Sequence, residues 1–375
     1  MSLALAQEHI PDNKHIYNHD IMNCTAEGVV GNHLYSGRAL GLTEPWDAIQ
    51  LHEDLKPFWE DITAHYQRIG LTHTTDVLWY LDLKVLGSRI GYQPSVFFYG
   101  PNEDCYWGDI EWLKTVDYIN SKNNFMSLAK LLGVDVPTTL CFEKAGEIIK
   151  EDLINVVYHC YLKAAVSVSG VGIYRCENEK ELLSKMKTFD TDTPVQIQEE
   201  VIAESFLNLQ YKVVGEEVLR LAASEQILDG FVHQGNRVPA SHQPWDSVDL
   251  MAEWLANRGM KGIFAFDVAV VKTDNGWRFP AIECNPRYNG ASYPTIIANK
   301  LNITEWSALT FSTKFTKLSD IDLTDIEYDK QTKEGAIIVN WGIMREGKLV
   351  ILLAGSPEYQ AALELELKER LSQGY

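Results

Sequence analysis

"GIFAFDVAVVKTDNGWRFPAIECNPR", Gly262 to Arg287, is the stretch on which the fold turns. Two runs rich in aromatic and β-branched residues flank Asp274-Asn275-Gly276, which reads as a hairpin with a three-residue loop and Gly276 in the left-handed conformation. That loop pairs Thr273 with Trp277. Counting back along the ribbon, Asp267 faces Glu283, Ala269 faces Ala281 and Ala265 faces Asn285, all on one side because side chains alternate with period two. The other side carries Phe264, Phe266, Val268 and Val270 against Ile282 and Cys284. One face is then core, and the other presents two carboxylates and an amide. A two-residue Asn-Gly turn would shift the register by one and send Asp267 to the opposite face from Glu283; the phenylalanines favour the three-residue loop. Two opposed carboxylates repel unless a cation lies between them. Carboxylate and amide oxygens are hard ligands of the kind Mg²⁺ takes together with phosphate oxygens, so Asp267, Glu283 and Asn285 are expected to form a Mg²⁺ and nucleotide-phosphate site. The alternative is the solvated polar face of an ordinary hairpin.

The rest of the chain bounds this reading. Its 375 residues suggest two or three domains. A hydrophobic content of 46% with 23% charged residues fits a globular protein, and no apolar run approaches the length of a membrane span. The N-terminus "MSLALAQEHIPDNKHIYNHD" has no basic flank followed by a long apolar stretch, so a cytoplasmic location is expected. The six cysteines, at 24, 105, 141, 160, 176 and 284, show neither a CxxC pair nor zinc spacing and read as reduced. With 33 basic against 52 acidic residues the formal charge is −19, which repels polyanions and argues against nucleic acid as a partner. An anionic substrate must therefore be drawn in by a local cluster of cations.

Along the chain, "GRALGLTEPWDAIQL", the amphipathic "DLKPFWEDITAHYQRIGL" and the apolar "DVLWYL" and "SVFFYG" alternate between helix-like and strand-like, suggesting a small α/β domain over residues 1–118. Neither GxxxxGK[ST] nor GxGxxG occurs, which weakens P-loop and dinucleotide-binding readings. In "SKNNFMSLAKLLGVDVPTT", Ser121 caps a helix that Gly133 closes and Pro137 leads away from. "NVVYHCYLKAAVSVSGVGIYRC" reads as strand, turn, strand, followed by the helix "NEKELLSKM" and the strand "VQIQEEVI". Residues 207–227 form a strand pair turning near "VGEEV", and "SVDLMAEWLANRGM" is a helix. The tail holds a hairpin, "AIIVNWGIMREGKLVILLAG", and the helix "SPEYQAALELELKERL".

With Asp267 upstream and Glu283, Asn285 and Arg287 in "ECNPR", the chain resembles the ATP-grasp superfamily over about residues 120–310. The resemblance implies an α/β (α+β) architecture: the N-terminal domain 1–118, an N-lobe 119–205 with a glycine-containing lid, a C-lobe 206–318 with the Mg²⁺ and ATP site, and a C-terminal extension 319–375. It implies that Asp267, Glu283 and Asn285 hold Mg²⁺ on ATP, while Arg287 contacts the transferred phosphate or the reacting carboxylate. Lys122 and Lys163 look like the two phosphate-binding lysines, Lys163 with a catalytic part, and Ser169, Gly170 and Gly172 in "SVSGVG" like the lid. Glycines let backbone N–H groups approach phosphate oxygens, and lysine adds a compact positive charge. "VQIQEEVIAE" resembles the hinge strand that clamps adenine, with Glu199 and the backbone of Val201 favoured, Gln198 and Glu200 as alternatives, and Glu204 near ribose.

"GRALGLTEPWDAIQL" is also similar to the N-terminal domain of carboxylate–amine ligases related to the peptide ligase of pheganomycin biosynthesis, and His233 and Arg237 fall where such enzymes build part of the substrate pocket. The implied activity is ATP-dependent amide formation through an acyl phosphate, from a small-molecule carboxylate and an amine, an amino acid or a peptide. Rival readings are a kinase or a carboxylate–thiol ligase on the same fold, or an ATP-binding protein without turnover. The segment after about 320 is a candidate interface of a homodimer.

Overall fold

The computed structural model describes residues 14–24, 30–167, 172–215, 217–229 and 232–372, which form three sheets with helices packed against them. The first sheet is parallel, in the order Val77–Leu78, Ala48–Gln50, Lys14–Asn18 and Tyr92–Val96. The helix Trp59–Ile69 buries Ile62, His65, Tyr66 and Ile69, and it ends where Gly70 takes φ 66°. Helix Lys122–Leu132 begins where Ser121 Oγ accepts a bond from the Asn124 N–H at 3.4 Å and stops at Gly133, φ 71°. It buries Phe125, Leu128 and Ala129.

The second sheet is antiparallel: Thr139–Phe142, Val195–Glu199, Cys160–Ala164 and Ile173–Cys176. Its own small core contains Leu153, Leu162, Leu182 and Ile197. The third sheet has nine strands, running Gly276–Arg278, Gly262–Thr273, Ser205–Val214, Glu217–Asp229, Val232–Val238, Trp306–Ser312, Lys348–Ala354 and Gly335–Asn340, with Ala281–Asn285 pairing to Gly262–Thr273. In Ser205–Val214 the period-two pattern is plain: Leu207, Leu209 and Tyr211 enter one core with Phe264, Phe266 and Val268, while Asn208 and Gln210 face the other way.

The hairpin departs from expectation at its tip. Thr273 pairs with Gly276 and Lys272 with Trp277, so the loop is the two residues Asp274 and Asn275, and Gly276, φ 126°, belongs to the return strand. A bulge then inserts one residue on the return strand between the pairs Val268–Ala281 and Asp267–Glu283. The two offsets cancel: Asp267 faces Glu283 and Ala265 faces Asn285 as expected, but Ala281 faces Val268 rather than Ala269. The bulged Ile282 is left out of the buried core, and Ala281 takes its place beside Cys284.

The two ends of the chain share a core. Leu34, Leu40 and Tyr66 pack with Ile337, Trp341, Leu352 and Leu367, the last on the helix Pro357–Ser372. Glu327 ties this union electrostatically. It accepts from His65 Nδ1 at 2.7 Å and from Arg68 at 2.6 and 2.7 Å, while His65 Nε2 accepts the Ile338 N–H at 3.0 Å. Burial raises the Glu327 carboxyl, but its bonds from Arg68 and His65 outweigh that and hold it at about 2, against an ordinary 4.5. A carboxyl depressed on folding contributes stability above pH 4.5 and loses it as pH falls toward 2. Glu327→Gln should therefore destabilise the protein by about 2 kcal/mol at neutral pH. In urea melts that difference should shrink progressively below pH 4.5; a pH-independent difference would show that packing, not charge, is what the variant lost.

Candidate functional site

The site is assembled on three adjacent strands. Gly262–Thr273 lies between Ser205–Val214 and Ala281–Asn285, so that Asn208, Asp267 and Glu283 stand in register across the sheet. Asp267 Oδ1 accepts from Asn208 Nδ2 at 2.7 Å and from Gln226 Nε2 at 2.8 Å, and its Oδ2 accepts from Asn285 Nδ2 at 3.0 Å. Asn289 Nδ2 donates to Asn208 Oδ1 at 3.2 Å, fixing that amide in turn.

Two lysines reach this cluster, Lys122 from the start of a helix and Lys163 from the second sheet. Lys122, the first residue of its helix, donates its backbone N–H to Ala165 O at 2.7 Å, which ties the helix start to the end of Cys160–Ala164. Its Nζ stands 3.2 Å from Glu283 Oε2 and 3.2 Å from Ser167 Oγ. Lys163 Nζ donates to Gln198 Oε1 at 2.7 Å, and the two lysines are only 7% and 8% exposed. Burial this deep concentrates their charge on whatever shares the cleft.

Burial lowers Lys163 to about 8, with Glu283 opposing the shift and Lys122 adding to it. Burial raises Asp267 to about 7, and the facing charge of Glu283 pushes the same way against its bonds from Asn208 and Asn285. Burial also works upward on Glu283, but Lys122 and Lys163 outweigh it and hold that carboxyl below its ordinary range. The contrast has one cause: Glu283 has the lysines beside it, whereas Asp267 has neutral amides. Oxygen donors from Asp267, Glu283 and Asn285, two of them carboxylates that repel each other, suit a small hard divalent cation shared with phosphate.

Arg287 follows directly on this strand. Its guanidinium lies 5.6 Å from the centre of the Phe97 ring, and among the described residues it makes no hydrogen bond or ion pair. Gln198 shares a face with Lys163 and also donates to Thr139 Oγ1 at 3.1 Å. Glu200 is held by Arg175 Nε at 2.8 Å and Nη2 at 2.9 Å, and by the Tyr161 hydroxyl at 3.0 Å. Glu199 points to the opposite face, where its Oε1 accepts the Thr138 N–H at 2.9 Å, so it is not brought to the lysines. Val201 is half-buried just beyond the strand, and Glu204 is exposed. Gly172 has φ 75°, as a turn glycine requires, and Ser169 and Gly170 lie outside the described residues. His233 bonds Asn236 at 2.7 Å with its ring against Gly290, and Arg237 pairs with Glu225.

Sequence reading passed over Asn208, Gln226 and Asn289. The signal for the first was present, a polar residue alternating with Leu207 and Leu209 inside a buried strand; Gln226 and Asn289 come from elements whose approach only the fold defines.

No protein-family model matches the chain, and no curated protein sequence matches it. Solved structures do. The chain shares the ATP-grasp fold of these structures. It is similar to N5-carboxyaminoimidazole synthetase from Staphylococcus aureus complexed with ADP, at 12% identity over 95% of this chain and 96% of that one, TM-score 0.58. It is similar to phosphoribosylamine–glycine ligase from Thermotoga maritima, at 13% identity over 96% of each chain, TM-score 0.59. An L-amino acid ligase from Bacillus licheniformis aligns over 97% of this chain and 98% of its own, at 13% identity and TM-score 0.55. Identities this low establish shared architecture alone.

Proposed function

We propose that this protein is an ATP-dependent carboxylate–amine ligase with Asp267, Glu283 and Asn285 as its Mg²⁺ ligands. The observation that carries the reading is the convergence of Lys122, at the start of a helix, and Lys163, on a strand of the second sheet, on the carboxylate pair of the third sheet. A cleft with two acids, an amide oxygen and three cations, counting Arg287, matches a metal-bound polyphosphate in charge and in donor type. The names of the aligned structures, a glycine ligase and an amino acid ligase among them, point to C–N bond formation as well.

Bound Mg²⁺ would offset phosphate charge and polarise the phosphoryl oxygens. Lys122 and Lys163 neutralise the remaining negative charge, and Gln198 and Ser167 fix their ammonium groups in place. A substrate carboxylate oxygen attacks the γ-phosphorus, the bond from phosphorus to the β,γ-bridging oxygen breaks, and ADP leaves. Arg287 sits where it can pair with that carboxylate as the two anions approach. The amine nitrogen then attacks the acyl carbon, the carbon–oxygen bond to phosphate breaks, and the amine proton passes to solvent. The lid, with Gly172 at its end, is proposed to exclude water so that the acyl phosphate reaches the amine intact. Val201 and Gln198 or Glu199 remain the proposed adenine contacts, and residues 119–205 and 206–318 the two clasping lobes.

The test is a screen of amino acids and short peptides in pairs with Mg·ATP, following inorganic phosphate and product mass. Phosphate release that needs both an acid and an amine, with an amide in the product, is expected. A phosphate retained on the product would mean a kinase, and no turnover with any pair would leave only nucleotide binding.

A further inference from the structure

A second cluster of ligand-type side chains lies where the start of the chain packs against its end. His33 stands in the 3-10 helical stretch Asn32–Leu42, and His52 caps the stretch Glu53–Phe58, which contains Asp54. His33 Nε2 lies 3.1 Å and His52 Nδ1 3.7 Å from the same carboxylate oxygen, Asp54 Oδ2. Among the described residues this is the one trio of His, Cys, Asp or Glu whose ligand atoms all lie within 4.8 Å of one another. Ligands about 2.0–2.2 Å from a tetrahedral ion stand about 3.4 Å apart, so these two edges need only a few tenths of an ångström of adjustment.

The bonding around the trio leaves a place for a cation. His52 Nδ1 accepts the Asp54 N–H at 3.2 Å, so that nitrogen turns a lone pair, not a proton, toward this corner. The two imidazole rings have centres 4.2 Å apart, and burial together with His33 holds His52 below its ordinary 6.5. An acceptor nitrogen 3.7 Å from a carboxylate oxygen repels it, and a metal ion between them turns that repulsion into two bonds. The other oxygen is held from outside: Arg345 Nη1 lies 3.1 Å from Asp54 Oδ1, which orients the carboxylate. Glu53 and Asp20, close enough to act on these rings, offset the Arg345 charge. Leu34 and Leu55, the neighbours of His33 and Asp54, are buried in the core shared by both chain ends. The Ser36 hydroxyl joins the two stretches, donating to His33 O at 2.7 Å and accepting the His52 N–H at 3.3 Å. His33, His52 and Asp54 keep 29%, 33% and 41% of their side-chain surface exposed, which gives an ion a way in.

We propose that His33, His52 and Asp54 form a site for one divalent transition-metal ion of the zinc type, with water completing its coordination. Two imidazoles and one carboxylate suit Zn²⁺, Co²⁺ or Ni²⁺, whereas Mg²⁺ takes oxygen ligands. On binding, the His33 ring carries its proton on Nδ1 and Nε2 takes the metal. His52 Nδ1 exchanges the Asp54 N–H for the ion, and that N–H turns to water. The ion fastens the two 3-10 stretches to each other and, through Asp54 and Arg345, to the C-terminal stretch Gly342–Glu346. The site is independent of the ligase reading and stands on other elements than the proposed Mg²⁺ ligands Asp267, Glu283 and Asn285.

The experiment titrates the full, metal-stripped chain with CoCl₂, followed by absorption, and with ZnCl₂, followed by calorimetry, both in saturating MgCl₂ so that the phosphate site is filled. One equivalent of Co²⁺ should bind with the visible bands of a nitrogen- and oxygen-ligated ion. The absence of a thiolate charge-transfer band separates the trio from the six cysteines. His33→Gln and His52→Gln should each weaken Zn²⁺ binding at least about 100-fold, while His242→Gln, outside the trio, binds as wild type does. No Zn²⁺ binding tighter than about 1 mM would overturn the site. So would an ion bound equally well by both trio variants, one that shows a thiolate band, or one that Mg²⁺ displaces. If circular dichroism shows neither histidine variant folded, the wild-type stoichiometry and cobalt spectrum decide alone.

Discussion

Glu283→Ala should cut Mg·ATP-dependent phosphate release by about 10³-fold or more. Glu283 stands opposite Asp267 and 3.2 Å from Lys122, so its removal takes away a metal ligand and the counter-charge of a buried lysine in one step. Raising Mg²⁺ should not restore the rate, because the remaining oxygens of Asp267 and Asn285 are too few to hold the ion against water. Glu283→Gln separates charge from shape: it keeps the volume and an oxygen, and should be nearly as inactive. Circular dichroism and a melt would show both variants folded, since Glu283 is only partly buried while Phe264, Phe266 and Val268 hold the ribbon from the other face. A Glu283→Ala protein with wild-type turnover would discard the site.

Lys163→Met should lower kcat/KM for ATP by about 10²-fold. Lys163 is 8% exposed and donates to Gln198, so a neutral isostere leaves the packing in place and removes only the cation. Its pH behaviour gives a sharper signature. Burial holds the free-enzyme value at about 8, so the ammonium is present below that pH and is lost above it. Phosphate binding requires the charged form, and kcat/KM for ATP should fall about tenfold per pH unit above 8. An arginine does not titrate in this range. Lys163→Arg should therefore remove the alkaline limb even if it lowers the plateau, and an unchanged limb in that variant would assign the titration to another group.

How much of this was legible without coordinates varies by element. The helix Lys122–Leu132 was, because Ser121 and Gly133 are local stop signals that act within one turn. Strand Ser205–Val214 was, because alternation of Leu207, Leu209 and Tyr211 with polar residues needs no partner to be seen. The hairpin tip was not. Asp-Asn-Gly is compatible with several loops, and the two-residue turn and the bulge at Ile282 are chosen by the neighbouring strand and by Asp135, whose carbonyl accepts the Ala281 N–H at 2.8 Å. The pairing of Asp267 with Glu283 survived because the demand to bury Phe264 and Phe266 on one face outweighs the preference of the loop.

The residue types of the phosphate site, their order and their alternation along two strands are properties of the chain itself, since periodicity and turn signals act over a few residues. Distances decided everything else: that Lys122, from a helix start, and Lys163, from a different sheet, converge on Glu283, and that Asn208 and Gln226 hold Asp267. Those groups are separated by tens to hundreds of residues. Only the burial of shared cores brings them within the few ångströms over which charge and hydrogen bonding operate.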